Sequence, residues 1–128
     1  MTVVIDSSAL IAYLWDEPGA DTVHSQLEGG LVSSVNFSEV ALRLARDGSD
    51  PRPLLEDLLD SGLDVLDFTF PCALRLIDIR LAETRRGIGL SLGDRCCLAT
   101  ALAEELPVLT ADREWARFGD VLDVRLIR

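Results

Sequence analysis

What most constrains this chain is its rhythm. Short β-branched apolar runs stop at small polar residues and give way to helix-length stretches, repeatedly and with brief connections. The first run, Thr2 to Ile5, ends at Asp6-Ser7-Ser8, side chains suited to starting a helix that continues from Ala9 to Trp15. Glu17-Pro18-Gly19 interrupts before a second helical stretch to about Leu27, and Gly29-Gly30 stops it. Leu31 to Ser33 reads as a strand, with Ser34 or Asn36 as the cap of a helix holding Phe37, Val40, Ala41 and Leu44. Asp50-Pro51-Arg52-Pro53 opens the next helix, places Leu54, Leu55, Leu58 and Leu59 on one face, and closes at Ser61-Gly62. Leu63 to Phe68 follows as a strand. Pro71 then begins a long helix, Cys72 to about Arg86, with Ala73, Leu74, Ile77 and Leu81 as its apolar stripe. Ser91 or Gly93 starts a very apolar helix through Leu102. Pro107 to Thr110 is a strand, Asp112 to Phe118 a short helix or turn, and Val121 to Leu126 the last strand.

That order implies right-handed crossovers, a parallel sheet and helices on both of its faces. The expected class is α/β: a three-layer α/β/α sandwich around a central parallel sheet of about four to five strands. The chain's 128 residues suit one domain, 1–128, with no repeat, linker or low-complexity tract. Hydrophobic residues at 48% and charged residues at 27% read as soluble and globular. Cys72 and the adjacent pair Cys96 and Cys97 are odd in number and lack zinc-type spacing, so three reduced thiols in a cytosolic core are expected. No apolar run approaches the roughly 20 residues that span a bilayer, and the opening lacks a basic n-region. A cytoplasmic protein without membrane contact follows.

Charge narrows the function. There are 22 acids against 12 bases, every base is arginine, and the net charge is −10. A sequence-tolerant DNA coat needs a broad basic surface and is excluded. Without lysine, so are a Walker A site, a Schiff base and a receiver-type phosphoacceptor site.

Most acids must be solvated faces or caps. The informative ones fall at the carboxyl ends of strands, where parallel sheets place ligands. Asp6 ends the first strand, Asp112 lies two residues past the Val108–Thr110 strand, and Asp94 opens a helix after Ser91-Leu92-Gly93. Each also reads as a helix cap or, for Asp112, a turn former. Glu39 sits inside a helix, either as the capping-box partner of Asn36 or as an acid turned toward Asp6. Should the four meet, like charges raise one another's pKa unless a cation neutralises them. Carboxylate oxygens without His or Cys suit Mg²⁺, or Mn²⁺ as a substitute, over zinc. Such an ion activates water and offsets charge on a phosphodiester, which lets an acidic protein act on nucleic acid.

These residues and their order resemble the PIN-domain ribonucleases, and among them the VapC-type toxins of bacterial toxin–antitoxin pairs. The first motif is Val4-Ile5-Asp6-Ser7-Ser8-Ala9-Leu10, and the second is Ser38-Glu39 followed by an apolar helix. The third is Leu90-Ser91-Leu92-Gly93-Asp94, and the fourth Leu109-Thr110-Ala111-Asp112 with Trp115 and Phe118 beyond. The resemblance spans the whole chain. It implies a PIN-like fold and a Mg²⁺-dependent endoribonuclease acting as a toxin. Asp6, Glu39, Asp94 and Asp112 would be the metal-binding catalytic acids, with Ser7 and Thr110 as polar helpers. It further implies a homodimer, an RNA substrate, and a cognate antitoxin through which alone the protein would meet DNA.

One departure is Arg95, where many relatives carry a small or apolar residue; it pairs with Asp94, holds RNA phosphate or points outward. Arg43 and Arg46 lie one and two turns beyond Glu39, as candidates to face a substrate groove. Arg75, Arg80, Arg85 and Arg86 read as a solvated face, with an RNA-phosphate track as the alternative. His24 reads as a surface residue, and Trp15 and Tyr13 as core or interface residues rather than base-stacking platforms. Two other functions compete. A haloacid-dehalogenase-type phosphatase needs a second Asp two residues after the first, where position 8 is Ser. A non-catalytic PIN-like scaffold for protein or RNA binding needs no turnover, and absence of metal-dependent cleavage would distinguish it.

Overall fold

The computed structural model describes residues 2–128. Met1, the first residue of the expected domain, lies outside the described residues. The elements follow in the order β1 (Val4–Ile5), α1 (Ser7–Leu14), α2 (Ala20–His24), β2 (Leu31–Ser33), α3 (Ser34–Leu44), α4 (Arg52–Asp60), β3 (Asp64–Leu66), α5 (Phe70–Arg86), α6 (Leu92–Glu104), β4 (Val108–Thr110), a 3₁₀ helix (Arg113–Phe118) and β5 (Val124–Leu126). Among the described residues, five parallel strands form one sheet in the order β3-β2-β1-β4-β5. The three-layer α/β/α architecture expected from the alternation is the one observed.

The period-2 geometry of β1 explains the layers. Val3 and Ile5 face one side, in a core with Leu10, Val32, Val40 and Leu58. Val4 faces the other, with Ile79, Cys97, Leu98, Val108 and Trp115. All three cysteines are buried free thiols, as expected.

The strand order locates the site. From β1 the chain winds outward through β2 and β3, then returns to place β4 against the opposite edge of β1. Order therefore reverses between β1 and β4, and a crevice opens beyond their carboxyl ends. Register there is fixed by Val4 opposite Val108 and Ile5 opposite Leu109. Asp6 N–H donates to the Leu109 carbonyl at 2.9 Å, so Asp6 lies beside Thr110.

Several sequence expectations need correction. The cap of α3 is Ser33, whose hydroxyl accepts from Val35 N, rather than Ser34 or Asn36. The last strand is confined to Val124–Leu126, because the N–H groups of Val121 and Leu122 turn back to the Phe118 carbonyl. Likewise β3 is Asp64–Leu66, since Phe68 N leaves the ladder for Ser34 Oγ. The apolar stripe read along the long helix is not its core face. Cys72, Ile79, Ala82 and Glu83 are buried, while Phe70, Leu74, Ile77 and Leu81 are exposed. Leu54 and Leu59 of α4 are also exposed around a buried Leu58. Trp15 is not a core residue: it is 48% exposed.

Candidate active site

Asp6 is the deepest of the four acids. It stands at the N-cap position of α1 yet makes no side-chain capping bond. Its Oδ2 instead accepts from Ser8 Oγ at 2.6 Å and Thr110 Oγ1 at 2.9 Å. Burial raises its pKa to about 6, against the pull of those two hydroxyls and with a further push from the charge of Asp94. Ser8, which the sequence offers only as part of a helix start and of the first motif, ties the site together: its Oγ also accepts from Ala111 N at 3.0 Å. Thr110 Oγ1 in turn accepts from Asp112 N at 3.0 Å. The ends of β1 and β4 are thus bound through hydroxyls.

Asp112 caps the 3₁₀ helix by accepting from Glu114 N at 3.0 Å, so its turn-forming role is present alongside its place at the crevice. Asp94 lies in the first turn of α6 and is not the cap. Ser91 caps, accepting from Asp94 N at 3.1 Å, and it also hydrogen-bonds the Asp94 carboxyl in return. The pKa of Asp94 is raised chiefly by burial, against the pull of the Ser91 hydrogen bond, with a further push from the charges of Asp112 and Glu39. Asp94 thus lies within electrostatic reach of Asp6, Asp112 and Glu39.

Glu39 stands at the exposed rim. It makes no capping box. Its Oε1 accepts from Ser7 Oγ at 2.7 Å and from the side-chain amide of Asn36 at 2.8 Å. The same Asn36 Nδ2 donates to the Gly93 carbonyl at 2.9 Å, linking α3 to the turn that carries Asp94. Gly93 has no side chain for a steric reason: a Cβ there would overlap Glu39 Oε2 and Cδ. Asn36 is fully buried, and its Oδ1 has no hydrogen-bond partner among the described residues.

Arg95 corrects the sequence reading. It pairs with none of the four acids and is not free for phosphate, because Glu83 takes its guanidinium in a fork, Nε to Oε1 at 2.7 Å and Nη2 to Oε2 at 3.0 Å. Glu83, fully buried and unremarked in the sequence, also accepts from Leu90 N at 2.9 Å. It anchors the loop entering the third motif from α5, and its pKa is lowered chiefly by Arg95. The signal was its phase: Glu83 lies one turn past Ile79 on the buried face. Three of the four arginines of α5 are engaged as well, Arg75 with Asp78, Arg80 with Glu83 and Arg86 with Asp120. Arg43, in contrast, lines a groove of about 460 Å³ together with Ser7, Glu39 and Arg46. His24 is exposed and stacks on Tyr13.

The donor set fits a hard divalent cation. It offers carboxylate oxygens at the reversal point, raised pKa values that a cation would lower, and one unsatisfied buried oxygen on Asn36. Among the described residues no three His, Cys, Asp or Glu side chains converge into a ready-made cage. Mg²⁺ asks for less, since it is held by one or two carboxylates and keeps several waters.

The PIN domain model matches residues 3–121, nearly the whole chain. The chain belongs to the PIN domain family. No curated protein matches its sequence. Among solved structures, a toxin–antitoxin complex from Klebsiella pneumoniae is similar at 19% identity, covering 98% of both chains with a TM-score of 0.77. VapBC-1 from nontypeable Haemophilus influenzae is 17% identical, covers 99% of this chain and 98% of that one, and has a TM-score of 0.75. FitAcB from Neisseria gonorrhoeae is 21% identical over 99% and 98%, with a TM-score of 0.75. These likenesses establish that the chain shares its fold with chains of these three structures. No helix among the described residues is long and apolar enough to cross a membrane.

Proposed function

We propose that this PIN domain is a Mg²⁺-dependent endoribonuclease, the toxin of a cytoplasmic toxin–antitoxin pair, restrained by a cognate antitoxin. The observation that supports the reading most is Asp94 lying within electrostatic reach of Asp6, Asp112 and Glu39 at the sheet's reversal point, with the carboxyl pKa values of Asp6 and Asp94 raised in an acidic protein. When bound, Mg²⁺ supplies an activated water and positive charge opposite the scissile phosphate. Asp6, Asp94, Glu39 and Asp112 would hold it. Ser8 and Thr110 fix the Asp6 carboxylate, and Ser7 and Asn36 fix that of Glu39. Preorganisation of this kind lets charged groups act without rearranging during the reaction. Arg43 and Arg46 give the rim above Glu39 a positive edge suited to backbone phosphate.

An antitoxin partner is supported by the similar structures, which are of toxin–antitoxin complexes, one of them VapBC2 from Rickettsia felis bound to a fragment of their promoter DNA. With a net charge of −10, this chain's own contact with DNA would run through that partner. Self-association is supported by α5, whose exposed Phe70, Leu74, Ile77 and Leu81 follow the 4-3-4 spacing of a helix-pairing seam.

The test is incubation of a structured RNA pool with the purified protein in Mg²⁺, in EDTA, and with Asp94→Asn. Cuts that require metal and vanish in the variant are expected. Folded, metal-loaded protein that cuts no RNA would favour the binding-only scaffold.

A further inference from the structure

The groove beside Glu39 does not end at the acids. Arg43 and Arg46, which wall it, also wall a second hollow of about 270 Å³ lined by Trp15, Leu44 and Asp47. One path therefore runs from Ser7 and Glu39, across two guanidinium groups, to an indole ring. Trp15 caps the C-terminus of α1 with its ring half exposed, and the Arg43 guanidinium lies over it at 5.0 Å from the ring centroid. Eight of the twelve arginines make an ion pair with a carboxylate. Among the described residues Arg43 and Arg46 make none, although the protein is strongly acidic. Two guanidinium groups without an ion pair, set between Glu39 and Asp47 beside an exposed aromatic face, offer what single-stranded nucleic acid requires: cations along the backbone and a π-surface under an unstacked base.

We infer that Trp15 and Arg43 form a base-stacking platform for single-stranded RNA, with Arg43 and Arg46 holding the phosphates between the stacked base and the acid cluster. The inference rests on the endoribonuclease reading and adds to it a strand direction across the rim and a preference for unpaired over duplex RNA. A base enters over the part of the indole that Arg43 leaves open, and the strand then passes the guanidinium groups to present its next phosphate at Glu39 and Asp6.

The two tryptophans make the test clean, because Trp115 is fully buried and only Trp15 reaches solvent. Tryptophan emission is followed while a short mixed-sequence single-stranded RNA is added in Ca²⁺, and affinity is read separately from the anisotropy of end-labelled RNA. Wild type is expected to show quenching with single-stranded RNA and little with a duplex of the same length. Trp15→Phe should remove the quenching and keep affinity within about threefold, since a phenyl ring still stacks. Trp15→Ala and Arg43→Gln should each weaken binding about tenfold, the scale of one lost stacking contact. Circular dichroism and the Tm of each variant identify any that misfold, and Trp15→Phe answers the question even if Trp15→Ala does not fold. Unchanged RNA affinity in folded Trp15→Ala overturns the platform, and so does a loss confined to antitoxin binding, which would make the ring a protein interface. Metal-dependent cleavage that persists in that variant leaves the nuclease reading standing. Absence of cleavage in wild type removes that reading while the binding arm still decides the platform.

Discussion

Thr110 donates its hydroxyl to Asp6 Oδ2 at 2.9 Å across the junction of β1 and β4, and it accepts from Asp112 N at 3.0 Å with the same oxygen. One buried side chain thereby orients the deepest acid of the first motif and the backbone of the fourth. Thr110→Val keeps the shape and removes both bonds. The expected cost is about 1–3 kcal/mol, the range for stranding buried polar groups, read from urea denaturation. A shift in Asp6 titration toward higher pH should accompany it. Unchanged stability would mean that the junction is held by packing alone.

Asp6 makes the metal-free protein sensitive to pH in an unusual direction. Its pKa lies at about 6 folded, against an ordinary 3.8. Protonated Asp6 favours the fold, so its contribution is full below about pH 3.8 and is lost as pH rises through 6. The gap corresponds to about 3 kcal/mol. Asp6→Asn removes this penalty. In EDTA the variant should gain about that much stability relative to wild type between pH 4 and pH 7. Paired urea melts at the two pH values measure it, and a difference that does not change with pH would contradict the burial of a titrating Asp6.

Gly93→Ala tests the placement of Glu39. The new methyl overlaps the Glu39 carboxylate, the far end of an exposed side chain at the rim, so the side chain yields before the backbone does. Its bonds to Ser7 and Asn36 then break. The fold should survive with a Tm close to that of wild type, while metal-dependent cleavage falls at least tenfold. Full activity in Gly93→Ala would show that Glu39 does not work from this position.

Self-association through α5 makes a separate prediction. Ile77 is 59% exposed in the middle of the stripe. Ile77→Asp should convert the species seen by sedimentation from dimer to monomer with little change in Tm, because no core contact is lost. A wild-type monomer, or a variant that remains dimeric, would remove α5 from the interface.

The order of elements was legible because β-branched runs are punctuated by Asp, Ser and Gly, and each punctuation has a local cause. Burial was less so. On α5 the seam of Phe70, Leu74, Ile77 and Leu81 is more apolar than the face that packs inward through Cys72, Ile79, Ala82 and Glu83. Periodicity alone chooses the wrong side. Glu83 is admitted to the core only because Arg95, twelve residues away, forks onto it. That pairing is tertiary, and it also claims the arginine that looked free for substrate. Asp6 and Asp112 stand out in the sequence as acids where strands end, Asp94 as one at a helix start, and Glu39 only as one inside a helix. Their side-chain partners are tertiary or depend on neighbours the sequence does not rank: Ser91 is the cap of α6, Asp112 caps the 3₁₀ helix, and Asn36 with Ser7 holds Glu39.

The most direct measurement is a calorimetric titration of Mg²⁺ and Mn²⁺ into metal-free protein near pH 6.5, in two buffers of different ionisation heat. Wild type is expected to bind with proton release, because Asp6 and Asp94 hold protons more tightly than ordinary carboxyls and must give them up to a cation. Asp94→Asn and Glu39→Gln should each bind at least tenfold more weakly. Wild type that binds no metal, or variants that bind as tightly as wild type, would contradict a metal site shared by these four acids.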